Sequence, residues 1–353
     1  MTDAEKKQDL PVLVKRHSHM MSIMLNRPKA LNSLNLEMVR LIREAMDEAL
    51  KEDRFQFVLF YGKGDRGFCA GGDIKALARA VRDGNVDKAD QFFEEEYALD
   101  LLIFRFPKPV IIIADGITMG GGLGISAGAD KVLATERTRM AMPESKAGFF
   151  PDVGATGWMF AKTLPGYPEY LGLTGYEMHG VECVRIGFAT DFVCSSNVPT
   201  VISTLEDATL SRGRGNDATR LRALLLPFLE QTIPSNTDMD QWVATYFAGK
   251  SAVTEIVESL SQCTLAHDLC QAVFLSLSER SPTSLALTLK LIRRNEGHPM
   301  EKVYENDARS AHFMVTHPDF LEGVRARLID KDNQPDWRPK RVEEVDLAGL
   351  VLV

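Results

Sequence analysis

Between Met142 and Gly154 the chain reads MPESKAGFFPDVG and holds two carboxylates, Glu144 and Asp152, eight residues apart. Two carboxylates that meet one ligand can divide general acid and general base work, or one can attack a carbonyl while the other handles protons. On a regular helix this spacing would leave them about 80° apart around the axis. Pro143, Gly148, Pro151 and Gly154 argue against a helix here. An irregular segment that folds back could bring both acids to one ligand. Phe149 and Phe150 would then exclude water and perturb both pKa values. A plainer reading stands beside this one. Glu144 after a proline suits the first turn of a helix, and Asp152 after a proline suits a turn.

Two glycine loops lie upstream, CAGGD (Cys69 to Asp73) and MGGGLG (Met119 to Gly124). Each follows an apolar run that reads as a buried strand, and each precedes a helical pattern. Glycine permits positive φ and close approach of a ligand, and free N–H groups there face a helix's positive end. One such loop could cradle a phosphate, and two could supply two N–H donors to one oxygen. Neither fits GxxxxGK[ST], and GGGLG lacks the setting of G-x-G-x-x-G. Taken singly, tight strand–helix packing explains either loop. Followed by MPE, the pair forms a more specific set. Asp73 could cap the following helix or order its loop.

The elements that would position these residues follow from periodicity. Val12–Val14, Met21–Leu25, Phe57–Tyr61, PVIIIADG and KVLATE read as strands. Leu36, Val39, Ile42, Met46 and Leu50 fall at helical spacing. Strands alternating with helices predict an α/β layered fold. SRGRGND (Ser211 to Asp217) has linker composition. Beyond it the pattern is helical over Ala218–Leu229, Ala252–Gln262, Leu265–Leu277, Ser284–Arg294 and Pro299–Thr316. The expected division is an α/β core over residues 1–215 and a mainly helical region over 216–353.

Composition narrows the function classes. The 353-residue chain is 45% hydrophobic and 25% charged, as in ordinary globular proteins. A net charge of −8 argues against a nucleic-acid partner. VIIIA and LAGLVLV are far shorter than the roughly 18 apolar residues of a spanning helix, so no membrane role is expected. LAGLVLV is expected to dock on the protein surface or on a neighbouring subunit. Cys69, Cys183, Cys194, Cys263 and Cys270 form no CxxC pair and are expected as reduced apolar fillers. No metal-ligand cluster is evident, and no metal is expected.

The stretches LNRPKALNSLN, GFCAGGDI, PVIIIADGITMGGGLG and AMPESKAGFFPDVG together resemble the crotonase (enoyl-CoA hydratase/isomerase) superfamily. EEEY (Glu94 to Tyr97), FPDVG, SPTSLALTL and FLEGVRARLIDKDNQPDWRP extend the resemblance over nearly the whole chain, toward the superfamily's thioester-hydrolase branch. The resemblance implies an α/β spiral of ββα units with a mainly helical C-terminal region, and an acyl-CoA substrate. It implies that the amides of Gly72 and Gly121 form an oxyanion hole for the thioester carbonyl. Hydratases of this superfamily carry one glutamate just after the second loop, where this chain has Gly124, and another at Glu144. Where they commonly have glycine, this chain has Asp152.

The resemblance therefore implies hydrolysis of a short branched 3-hydroxyacyl-CoA. Glu144 would be the main reactive carboxylate and Asp152 its partner, with Glu96 contacting the acyl portion. Gly72, Gly121, Glu144 and Asp152 would also bind the substrate. Arg27, Lys29 and Lys75 are candidates for the CoA phosphates. CoA is part of the substrate, and no separate cofactor is implied. Two alternatives are a hydration or isomerisation of the crotonase type and a catalytically silent acyl-CoA-binding protein. Relatives often form trimers or dimers of trimers, but this branch need not, which leaves a homo-oligomer open. Members acting in valine breakdown often work in mitochondria. The opening MTDAEKKQDL does not resemble a transit peptide, so a cytoplasmic location is expected.

Overall fold

A computed structural model describes residues 10–208, 217–263 and 266–353. The expected division at residue 215 lies within 209–216, outside the described residues. By contacts, the chain forms two compact units that chain order does not separate. Unit 1 comprises the segment up to Gly72, Ala98–Met140 and Met178–Ser235; unit 2 comprises Asp73–Tyr97, Ala141–Glu177 and Asn236–Val353.

Unit 1 carries a six-stranded sheet in the order β1 (Val12–Arg16), β2 (Met20–Leu25), β3 (Phe57–Gly62), β5 (Val110–Ala114), β7 (Lys131–Ala134) and β10 (Asp191–Phe192). From β2 onward every pairing is parallel, and β1 runs antiparallel at the edge. Each of β3, β5 and β7 is followed within a few residues by a short strand of a second sheet: β4 (Gly67–Cys69), β6 (Ile117–Met119) and β8 (Arg139–Ala141), which continues to β9 (Met178–His179). The repetition of strand, short strand and helix is the ββα spiral implied by the resemblance. Its central strands are apolar on both faces because parallel strands are covered on both sides. Phe57, Leu59, Ile111, Ile113 and Leu133 pack with Val201, Leu205, Leu221 and Leu225. The Leu36–Lys51 helix starts at Asn35, whose side chain accepts the Met38 amide.

Unit 2 is helical apart from short connections. The Val253–Ser261, His267–Ser278, Pro282–Asn295 and Met300–Thr316 helices match the expected segments to within a few residues. Leu350 is buried, and Val353 pairs through its backbone with the Asn306 side chain, so the apolar end docks on this unit. Among the described residues no helix is long and apolar enough to cross a membrane.

One cysteine expectation is corrected. Cys263 and Cys270 form a disulfide, while Cys69, Cys183 and Cys194 are free. The two bonded residues follow one helix and open the next, with Cα atoms 6.3 Å apart, within disulfide reach. A spacing of seven carries no such signal in the sequence.

Gly148 shows how tightly unit 2 is closed. It has φ +71°, and a Cβ there would collide with the carbonyl of Asp319. Gly148→Ala should therefore cost about 3 kcal/mol, from left-handed strain plus overpacking. Gly349, whose Cβ would meet nothing within 4 Å, should accept alanine within about 0.5 kcal/mol. Denaturant melts of the two variants measure this, and equal stabilities would refute it.

Candidate active site

The glycine loops lie together in unit 1. β4 and β6 pair in parallel, Gly67 with Ile117 and Cys69 with Thr118. The chain leaves β4 through Gly71, at φ +95°, and a Cβ there would sit 3.5 Å from the Gly121 amide nitrogen. Gly72 bridges to Leu34. Gly120, at φ 47°, precedes the Gly121–Ala127 helix. A Cβ on Gly122 would collide with the Cys69 carbonyl. Glycines are thus required where the two loops approach each other. Gly124 is buried inside the same helix.

The acids lie in unit 2. Pro143 introduces a short 3-10 turn, Glu144–Ala147, which Gly148 ends in a left-handed conformation. Proline, glycine and the 3-10 turn replace the helix whose absence the breakers predicted. Asp152 is buried, at 5% exposure, and accepts a hydrogen bond from the Tyr97 hydroxyl at 2.8 Å. Glu144 is half-buried, but its Oε2 is sealed from solvent and has no hydrogen-bond partner among the described residues. Glu96 is buried at 2% and Tyr97 is buried beside it, whereas Glu94 is exposed, so the acidic run EEEY turns one side to solvent and the other to the interior. Phe149 and Phe150 are buried; Phe149 stacks on Phe93 at 5.3 Å and contacts Phe320 at 5.8 Å.

Burial dominates the electrostatics. It raises the Glu144 pKa well above the usual carboxylate range, and the charge of Asp152 adds to this. It pushes Asp152 up to about 7, although the Tyr97 hydroxyl pulls the other way by stabilising the anion. Tyr97 itself is raised by burial and by the negative charges of Asp152, Asp307 and Glu96, so it remains a donor. Carboxyls whose pKa values are raised and that influence one another can exchange roles as acid and base. Among the described residues no group of three or more His, Cys, Asp or Glu side chains could hold a metal ion.

Two further polar groups of this cluster carry no motif. In the sequence Tyr97 is simply the end of EEEY, and Asp307 lies inside a helical pattern. Asp307 is fully buried and accepts the Gly154 amide at 2.7 Å. Its signal is faint but real: it interrupts the apolar stripe Met300, Val303, Tyr304, Ala311 and Met314 on the Met300–Thr316 helix. Glu96 likewise follows Ala89, Phe92 and Phe93 on the buried face of the Val86–Phe104 helix. Asp73 caps the Ile74–Arg82 helix by accepting the Ala76 amide. Arg27 binds the Ser33 carbonyl, whereas Lys29 and Lys75 are exposed.

A ββα spiral with paired glycine loops defines a class, and the family comparison agrees. The enoyl-CoA hydratase/isomerase family profile matches residues 20–350, and the chain belongs to that family. It is similar to the mitochondrial 3-hydroxyisobutyryl-CoA hydrolase of Danio rerio, with 36% identity covering 99% of this chain and 94% of the relative. It is also 32% identical to the small ribosomal subunit protein mS47 of Arabidopsis thaliana, over 95% of this chain and 82% of that one. Among solved structures, a carnitinyl-CoA dehydratase from Mycobacterium thermoresistibile superposes with a TM-score of 0.84 at 31% identity, covering 96% of this chain and 94% of its own. The expected cytoplasmic location is overturned by the zebrafish relative, which is named mitochondrial. A location is read from targeting information that composition and core residues do not carry.

The raised acids make stability depend on pH with a definite sign. An acid whose folded pKa lies above its unfolded value stabilises the native state fully below the unfolded value near 4. That contribution is lost as pH rises through the folded value, about 7 for Asp152 and also elevated for Asp307. Asp307→Asn removes the titration and keeps an acceptor for the Gly154 amide. Its Tm relative to wild type should therefore climb as pH rises above the unfolded value near 4. Calorimetric scans that give a constant difference would contradict the assignment.

Proposed function

We propose that this chain hydrolyses a short branched 3-hydroxyacyl-CoA thioester, 3-hydroxyisobutyryl-CoA above all, to the free hydroxy acid and CoA. One observation carries the reading: position 124 is a glycine, while Glu144, half-buried with one oxygen sealed from solvent, and the added, buried Asp152 are acids with raised pKa values. Hydration of an enoyl group calls on a carboxylate at the first position, and here that side chain is missing. The zebrafish hydrolase relative supports the same choice.

In this reading the amides of Gly72 and Gly121 donate to the thioester oxygen as it becomes an oxyanion. Such a donor is worth about 3 kcal/mol. Glu144 either attacks the carbonyl carbon, expelling CoA thiolate and leaving an anhydride that water then cleaves, or deprotonates the water that attacks. In both routes the C–S bond breaks and CoA leaves as a thiol after gaining one proton. Asp152, titrating near neutrality, orients the water or substrate and supplies or holds that proton. Glu96 contacts the 3-hydroxyl of the acyl chain. CoA enters as part of the substrate, and the reading calls on no separate cofactor. A homo-oligomer is compatible with this reading, and light scattering reads it directly.

A colorimetric thiol assay on 3-hydroxyisobutyryl-CoA tests the proposal. Wild-type protein should release thiol. Glu144→Gln should lose at least about 10³-fold and Asp152→Asn about 10²-fold in kcat. Turnover of crotonyl-CoA without thiol release would instead mean hydration. Binding without either reaction would mean a non-catalytic acyl-CoA-binding protein. Single turnover in ¹⁸O-water separates the two routes, because only the anhydride route can label the Glu144 carboxyl.

A further inference from the structure

Asp152 lies on a backbone that a chain does not adopt freely. Val153, the next residue, has φ 50°. A β-branched residue in the left-handed region is a genuine outlier, worth about 1–3 kcal/mol of strain, and it persists only where its surroundings over-determine it. Here they do. The Val153 carbonyl accepts the Trp158 indole N–H at 3.1 Å, and the Asp152 carbonyl accepts the Ala155 amide at 2.9 Å. Gly154, at φ +76°, donates its amide to Asp307 Oδ2 at 2.7 Å. A Cβ on Gly154 would meet Met300 Cε at 2.5 Å and Tyr304 Cζ at 3.0 Å. Met300, Tyr304 and Asp307 all come from one helix, which therefore grips the turn along one face.

The carboxyl that this turn presents is gripped from a second helix. Tyr97 Oη donates to Asp152 Oδ2 at 2.8 Å, and its ring is held by Phe93 at 5.8 Å and by Tyr304 at 6.1 Å. We propose that Asp307 and Tyr97 are positioning residues for Asp152: Asp307 locks the Val153–Gly154 turn through the Gly154 amide, and Tyr97 fixes the orientation of the carboxyl that the turn carries. This inference rests on the thioester-hydrolase reading for its kinetic consequence but not for its geometry.

The titratable groups around Asp152 are Glu144 from the 3-10 turn, Glu96 and Tyr97 from the Val86–Phe104 helix, and Asp307 from the Met300–Thr316 helix. Burial raises Asp307 well above the carboxylate range, and the charge of Asp152 raises it further. What the Gly154 amide needs from this position is an acceptor, and an asparagine side-chain oxygen can take its place. An alanine cannot, because the Gly154 amide would be left buried and unpaired. Tyr97→Phe keeps the ring and its packing but removes the donor that lowers the Asp152 pKa.

The test reads Asp152 itself, by ¹³C-carboxyl NMR titration of the full chain with the resonance assigned through Asp152→Asn, alongside thiol-release kinetics. Tyr97→Phe should move the Asp152 midpoint upward by about one pH unit, and the limb of the pH–rate profile with it. Asp307→Ala should move the midpoint in the same direction and lower kcat on the order of 10²-fold with KM little changed. Asp307→Asn should restore both. If Asp307→Ala does not fold, Tyr97→Phe and Asp307→Asn still decide the matter. An Asp152 midpoint unmoved in Tyr97→Phe overturns the proposal. So does an Asp307→Asn protein as impaired as the alanine variant, or activity that merely tracks the folded fraction. Shifts as expected in a wild-type background that releases no thiol would sink the hydrolase reading and leave the positioning of Asp152 standing.

Discussion

The cost of burying carboxyl groups is the constraint around which unit 2 is organised. Asp152 and Asp307 are nearly or fully sealed from solvent, and one oxygen of Glu144 is sealed as well. In such surroundings a carboxylate loses hydration that an apolar wall cannot return. The protein answers partly by supplying donors, the Tyr97 hydroxyl to Asp152 and the Gly154 amide to Asp307. The remaining cost appears as raised pKa values. Phe93, Phe149, Phe150 and Phe320 maintain the dry environment, and the left-handed Val153–Gly154 turn aims the acid.

Unit 1 solves a different problem with backbone alone. Its spiral brings two loops side by side; glycine is needed at Gly71 for its φ of +95° and at Gly122 because the Cys69 carbonyl occupies the space a Cβ would take. Parallel pairing through the central sheet sets where each loop emerges. A scaffold of this kind determines where main-chain donors can stand. Which reaction they serve depends on the side chains supplied to them. Under the function proposed above, the informative positions are the glycine at 124 and the acids at 144 and 152.

Much of the fold was legible from residue patterns. Apolar runs bounded by glycine marked the central strands, and helical periodicity marked the C-terminal helices to within a few residues. The candidate site was legible only in part. Glu144 and Asp152 are conspicuous because breakers and aromatics surround them, and the structure gives both raised pKa values, with Asp152 buried and one Glu144 oxygen sealed. Glu96 was visible as part of an acidic run but not as a buried group. Tyr97 and Asp307 were not singled out, since a tyrosine or an aspartate within a helical pattern looks ordinary until its neighbours in space are known.

The sequence by itself determined the local elements, the glycine positions and the broad α/β class, because these depend on side-chain periodicity and on what a backbone without a Cβ can do. Tertiary structure alone decided the partners of the acids, the strained conformation of Val153 and the Cys263–Cys270 bond. Tyr97 meets Asp152 across 55 positions, and Asp307 meets Gly154 across 153. Contacts at such separations arise only when the chain has folded, and so does the desolvation that shifts the carboxyl groups toward neutrality.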